Sequence, residues 1–205
     1  MALTDRKGTA LMKKVYLIQG YHHCSIGDAL KQYLKGLGNY SVEAIDMFAI
    51  EPEMIDFREA DIVILTMGVE PEKGKGHPEQ FYEVNDKLSY RVAVIAKACG
   101  VKQFLVLSTT DVYGSYFGKI TVKSKPNPKT DYAKSKLNGD RKIGELNDEN
   151  FHVSILRFPV VEGTKNGIFN QIQYMGKKKI PMQILLDKIG EVLEKDDSGL
   201  KVISA

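Results

Sequence analysis

Tyr132 and Lys136 stand four residues apart in DYAKSK, residues 131–136, so a helix there carries both side chains on one face. A tyrosine with an ordinary pKa near 10 is a poor base at neutral pH. A cation beside it, helped by an oxidised nicotinamide ring, favours phenolate. Thr109, in LSTTDVYG at 107–114, brings a hydroxyl that can hold a substrate oxygen while the phenol moves its proton. This is the proton chemistry of oxidising an alcohol or reducing a ketone against a nicotinamide. A tyrosine and a lysine at this spacing also describe two surface residues of any helix. The specific signal is an ordered set: a glycine turn, a strand-end acid, a strand-end hydroxyl, then YxxxK after a proline-containing loop.

The elements that must position these groups alternate along the chain. Val15–Gln19 reads as a buried strand and is followed at once by Gly20. Ile26–Leu37 has apolar residues at helical spacing and ends among glycines. Ser41–Met47 and Asp61–Thr66 read as further strands, the latter almost wholly apolar, as a strand covered on both faces should be. Pro71–Pro78 reads as a loop and Phe81–Cys99 as a long amphipathic helix. A strand at Gln103–Ser108, a helix over 132–146, a strand at Phe151–Arg157, a helix over 184–193 and a last strand near Leu200–Ile203 complete the series. Alternation of this kind predicts a doubly wound parallel sheet with helices on both faces. Its ligand belongs at the carboxyl ends of the strands. Gly20, Thr66, Met67, Gly68, Thr109 and Pro159 all fall just past strand ends.

Gly20 and Gly27 bracket the first strand-to-helix turn, where helix amides can meet a pyrophosphate. Asp46 stands 26 residues after Gly20 at the end of the second strand, where an acid accepts hydrogen bonds from a ribose diol. A carboxylate there repels a 2′-phosphate, which favours NAD over NADP. The same turn contains His22-His23-Cys24. Adjacent residues do not converge easily on one ion, and the chain has no CxxC or HxxxH partner for them, so no metal is expected.

Hydrophobic residues make up 43% of the chain and charged ones 27%, an ordinary globular composition. A net charge of +3 without a basic, aromatic-studded stripe argues against nucleic acid. No apolar run approaches the ~20 residues of a membrane helix. Two cysteines, Cys24 and Cys99, do not make a disulfide framework and suit a reduced, cytoplasmic setting.

The segments LIQGYHHCSIG, DIVILTMG, VNDKLSYRVAVIAKACGVKQFLVLSTTDVYG, PNPKTDYAKSKL and ILRFPVVEG resemble the extended short-chain dehydrogenase/reductases. Within them the chain looks like the NAD-dependent epimerase/dehydratase family that acts on nucleotide sugars. The resemblance implies a Rossmann-like fold, an NAD cofactor, a nucleotide-sugar substrate and catalysis by Thr109, Tyr132 and Lys136, with Thr110 the second candidate for the hydroxyl role. It implies that Asn85 shapes the surroundings of the lysine, and that Asp46 binds the adenosine ribose. It further implies that Asp56 and Phe57 flank the adenine, and that Thr66, Met67 and Gly68 run beneath the cofactor. Pro159, Val160 and Val161 would meet the nicotinamide end. Gly20, His23, Cys24, Ser25, Ile26 and Gly27 would form the phosphate loop. Helices 81–99 and 132–146 would build a homodimer interface.

Three features depart from the family pattern. The glycines of the first turn are seven apart, leaving His23 or Cys24 near the pyrophosphate, and Glu162 replaces a tyrosine. Only 46 residues follow Pro159. The expected organisation is a lead-in over 1–12, a dinucleotide-binding domain over 13–163 and a minimal substrate-binding segment over 164–205. The expected function is hydride transfer on a nucleotide sugar with the tyrosine as acid and base. The alternative is a non-catalytic cofactor-binding regulator or partner derived from the same family.

Overall fold

The computed structural model describes residues 12–20, 25–47, 49–69, 71, 76–114, 119–162 and 179–204. His22, His23 and Cys24, together with most of the lead-in and much of the proposed substrate segment, lie outside them.

The series runs β1 (Lys13–Gln19), α1 (Ser25–Gly36), β2 (Tyr40–Asp46), β3 (Ile62–Leu65), α2 (Pro78–Tyr82), a π-helical turn (Glu83–Leu88), α3 (Ser89–Ala98) and β4 (Gln103–Thr109). It continues through α4 (Asp131–Gly144), β5 (His152–Phe158), β6 (Val160–Val161), β7 (Lys179–Ile180), α5 (Met182–Lys195) and β8 (Gly199–Val202). Six strands form one sheet in the order β2-β1-β3-β4-β5-β8, every pairing parallel. This is a Rossmann-like, doubly wound sheet. Its strand order reverses between β1 and β3, and in open α/β sheets the ligand crevice opens at that point, beyond the carboxyl ends of the strands.

Burial explains why these segments pair. β3 is IVIL with all four residues buried, which suits a central strand covered on both faces. Alternate side chains of the strands feed two apolar layers. Ile18, Val63, Phe104, Val106 and Val153 pack with Val92, Ala93 and Ala96 of α3 and Ile143 of α4. Leu17, Ile64, Leu105 and Leu156 pack on the other face with Leu30 and Leu34 of α1 and with Leu185, Ile189 and Leu193 of α5. α5 is further tied to the sheet by buried Gln103, whose Nε2 donates to the Val192 carbonyl at 3.2 Å, in the helix's last turn.

Four features differ from the sequence reading. The helix expected from Phe81 begins at Pro78, because proline suits a first helical turn, where its missing N–H costs no hydrogen bond. That helix is not uniform. Its middle opens into the π-helical turn, and the Ser89 hydroxyl donates to the Val84 carbonyl at 2.8 Å, five residues back. The chain between β2 and β3, where no element was expected, forms two short 3-10 turns, at Pro52–Met54 and Phe57–Glu59. β6 and β7 add a small two-stranded sheet that no periodicity announced. No helix among the described residues is long and apolar enough to cross a membrane.

Candidate active site

The crevice at the strand-order reversal gathers main chain rather than bulk. Gly20 follows β1 directly, and α1 starts at Ser25 with Gly27 buried in its first turn. Thr66, at the end of β3, donates its hydroxyl to the Ile18 carbonyl at 3.0 Å and so ties β3 to β1 at the crevice floor. Gly68, two residues on, is exposed. Asp46 is the last residue of β2, exposed, and in register with Gln19 of β1, so it lies on the same rim as Gly20. Glycines, a helix start and a rim carboxylate are what a dinucleotide needs: amides for phosphate and an acceptor for a diol.

Deeper in the crevice, α4 meets β4. Thr130 caps α4, its hydroxyl oxygen accepting from the Ala133 amide at 3.1 Å. Lys136 is only 6% exposed, and its Nζ donates to the Leu107 carbonyl at 3.1 Å. Burial draws its pKa below the ordinary lysine value, and the charge of Asp140 acts in the opposite sense. Tyr132, one turn nearer the crevice mouth, is half-buried, with its ring edge-on to Phe81 at 5.9 Å and 68°. The neighbouring Tyr82 hydroxyl donates to Asp131 at 3.1 Å, so α2 grips the start of α4 twice. Thr109 ends β4 with its hydroxyl oxygen accepting from the Asp111 amide at 3.1 Å, which turns its own O–H away from that amide.

Asn85 joins the two halves. Its Oδ1 accepts from the Val69 amide at 2.9 Å, and its Nδ2 donates to Ser135 Oγ at 3.1 Å. Ser135 in turn donates to the Tyr132 carbonyl at 2.8 Å. A side chain on Gly68 would come within 3.0 Å of Asn85 Oδ1 and 3.9 Å of Lys136 Nζ, so bare backbone at this point roofs the lysine. Asn85 is 2% exposed, and Asn85→Ala strands the Val69 amide. The expected cost is about 2 kcal/mol in denaturant unfolding, within the range for a buried donor left without its partner.

Gly68, Asn85 and Lys136 are thus brought together against Leu107 of β4, with Tyr132 one turn before the lysine on α4 and Thr109 two residues further along β4. Thr110 follows as the first residue of a 3-10 turn. Phe57 behaves differently from the expectation. It is 0% exposed and packs in the core against Tyr16, because the chain after β2 turns inward there, so its ring has no face for an adenine. Asp56 is exposed and its carboxylate is engaged by Arg58, which holds its pKa below the usual carboxylate range. Met67 and Val161 are buried, while Pro159 and Val160 are half-buried where β5 leaves the sheet. Ile26 is half-buried in the first turn of α1, next to Ser25.

Sequence reasoning missed one feature beside the site. Asp140 Oδ2 accepts from Ser108 Oγ at 2.8 Å and from Arg157 Nε at 2.9 Å, and Arg157 also donates to the Tyr113 hydroxyl at 3.1 Å. The signal was present as an arginine inside the apolar strand ILRF and an acid one turn after the lysine.

The sequence pattern of the NAD dependent epimerase/dehydratase family matches residues 22–191. No curated protein matches. Among solved structures, dTDP-4-dehydrorhamnose reductase from Clostridium acetobutylicum ATCC 824 matches with a TM-score of 0.78 at 19% identity, over 93% of this chain and 74% of that one. UDP-glucuronic acid 4-epimerase from Bacillus cereus, in complex with NAD, gives 0.76 at 17%, over 93% and 77%. dTDP-4-dehydrorhamnose reductase from Bacillus anthracis str. Ames, in complex with NADP, gives 0.75 at 18%, over 95% and 75%. At these identities the likeness is one of fold.

Proposed function

The chain belongs to the NAD dependent epimerase/dehydratase family, matched over residues 22–191, and from that premise we propose that it is an NAD-dependent oxidoreductase or epimerase of nucleotide sugars. The observation that carries the proposal is Lys136, buried beneath Gly68 and one helical turn from Tyr132. A lysine buried at a crevice, with its pKa displaced by burial, is a functional-site signal.

The residues present fit the cofactor. Gly20 and the start of α1 offer amides to a pyrophosphate, and Asp46 on the rim offers acceptors to a ribose diol. The carboxylate favours NAD over the 2′-phosphorylated cofactor. Bound there, the nicotinamide supplies the hydride acceptor and donor. The chain supplies the proton path. Thr109 orients the substrate oxygen through its O–H. Tyr132 takes the hydroxyl proton, and Lys136 favours the phenolate that does so. A single transfer makes a reductase or dehydrogenase. Return of the hydride to the other face of the keto sugar makes an epimerase.

The substrate class is supported by the structurally similar B. cereus UDP-glucuronic acid 4-epimerase, which was solved in complex with UDP-glucuronic acid and NAD. The test is incubation with NAD+ and a panel of UDP- and dTDP-linked hexoses and hexuronic acids, with products read by NMR. Cofactor-dependent appearance of an epimer or a keto sugar is expected. A protein that binds NAD and converts none of the panel fits the non-catalytic alternative instead.

A further inference from the structure

The residues below Lys136 form a second rung of contacts between α4 and β4. On the first rung, Lys136 Nζ donates to the carbonyl of Leu107. On the second, one turn deeper, Asp140 accepts from the side chain of the next strand residue, Ser108. The lysine and the acid are four apart on the inward face of one helix and are both buried, at 6% and 2% exposure. Only one oxygen of Asp140 is held, by Ser108 and Arg157. The other, Oδ1, is buried and accepts no hydrogen bond among the described residues.

We propose that Asp140 is a positioning residue for the active site, the buried counter-charge that keeps the Lys136 ammonium cationic where the crevice has stripped it of water. This rests on reading Lys136 as the cation beside Tyr132. A buried ammonium without a compensating charge gives up its proton, and a neutral amine no longer favours phenolate. Arg157 holds the Asp140 carboxylate in place, and Ser108 fixes the oxygen they share.

The other titratable groups facing this region are spoken for or lie further along their elements. Arg157 on β5 is shared by Asp140 and Tyr113, and its guanidinium lies over the Tyr113 ring at 5.4 Å. Asp86 on the π-helical turn is paired with Lys142 at 2.6 Å. Asp111, on the turn after β4, is half-buried and follows Thr109 toward the crevice mouth. Tyr82 on α2 is bonded to Asp131, at the first turn of α4. Asp140 is the charge that opposes the effect of burial on Lys136.

The experiment titrates Lys136 directly, by NMR of protein labelled at the lysine side-chain Cε and Nζ, with the resonance assigned by its loss in Lys136→Met. Asp140→Asn keeps the shape and removes the charge. It also leaves Arg157 buried and uncompensated, which destabilises. The double variant Asp140→Asn with Arg157→Met removes the stranded cation and carries the test where the single variant does not fold. In Asp140→Asn the Lys136 midpoint falls by about one pH unit or more relative to wild type, the size expected for a charge one helical turn away in a partly buried setting. In the double variant the reference is Arg157→Met, because loss of the Arg157 cation acts in the opposite sense. A midpoint in Asp140→Asn equal to wild type, or in the double variant no lower than in Arg157→Met, overturns the proposal.

The pH profile of sugar oxidation gives the second reading. With Lys136 neutral over more of the range, the rising limb of kcat moves to higher pH in the variants, opposite to the movement of the lysine midpoint. An unmoved limb, in a variant that folds and turns over, also overturns the proposal. The midpoint needs no substrate, so its fall in a protein that converts no nucleotide sugar rejects the proposed function and leaves the role of Asp140 standing. Conversion of a sugar with an unmoved midpoint rejects Asp140 alone.

Discussion

Tyr132→Phe is expected to lower kcat on the proposed sugar substrate by about 10²–10⁴-fold, the span attributed to a positioned acid–base group, and to keep the ring packing that holds the start of α4. The separation of the two effects follows from how the residue is held. Its ring packs edge-on to Phe81, and its carbonyl accepts from Ser135. Neither contact uses the phenol oxygen. Phenylalanine therefore keeps the packing that fixes the start of α4, and Lys136 keeps its bond to Leu107. What is lost is the group proposed to exchange a proton with the substrate hydroxyl. Steady-state kinetics with calorimetric unfolding checks both halves. A variant that folds and retains full turnover contradicts the proton path through Tyr132.

Gly139→Ala is expected to be strongly destabilising. A Cβ at this position would lie 2.2 Å from the backbone carbonyl oxygen of Asn85. The obstacle is main chain, so no side-chain rotation relieves it, and the π-helical turn and α4 must move apart. Packed interiors transmit such shifts, and overpacking of this kind costs about 3 kcal/mol, the upper part of its usual range. The same displacement pulls Asn85 away from Ser135 and from the Val69 amide, so activity falls together with stability. Urea unfolding that gives a loss well under about 1 kcal/mol, with activity intact, shows that the two elements are not in the contact described.

The sheet was legible because its strands state their burial. The run DIVILT can be satisfied only by a strand covered on both faces, and Ile62–Leu65 is that strand. The pairing of Tyr132 with Lys136 followed from helical spacing, and α4 holds both. Asn85 entered only through resemblance, since an asparagine inside an amphipathic helix has no sequence signature of its own. Its reach to Val69 and Ser135 depends on a π-helical turn that no period reports. The inward turn that buries Phe57 was equally silent, because a phenylalanine between charged residues gives no direction. Asp140 and Arg157 were visible as charges out of place, yet their partnership joins a helix to a strand 17 residues on. Two-residue strands such as β6 and β7 fall below the length at which alternation can be read.

The proposed function rests first on one property, binding of the cofactor at the crevice between β1 and β3. The direct measurement is an isothermal calorimetric titration with NAD+, NADH, NADP+ and NADPH, since the chain has no tryptophan to report binding by fluorescence. Micromolar binding of NAD+ or NADH, with the 2′-phosphorylated pair weaker because Asp46 stands on the rim, is the predicted result. Absence of binding by all four contradicts the assignment.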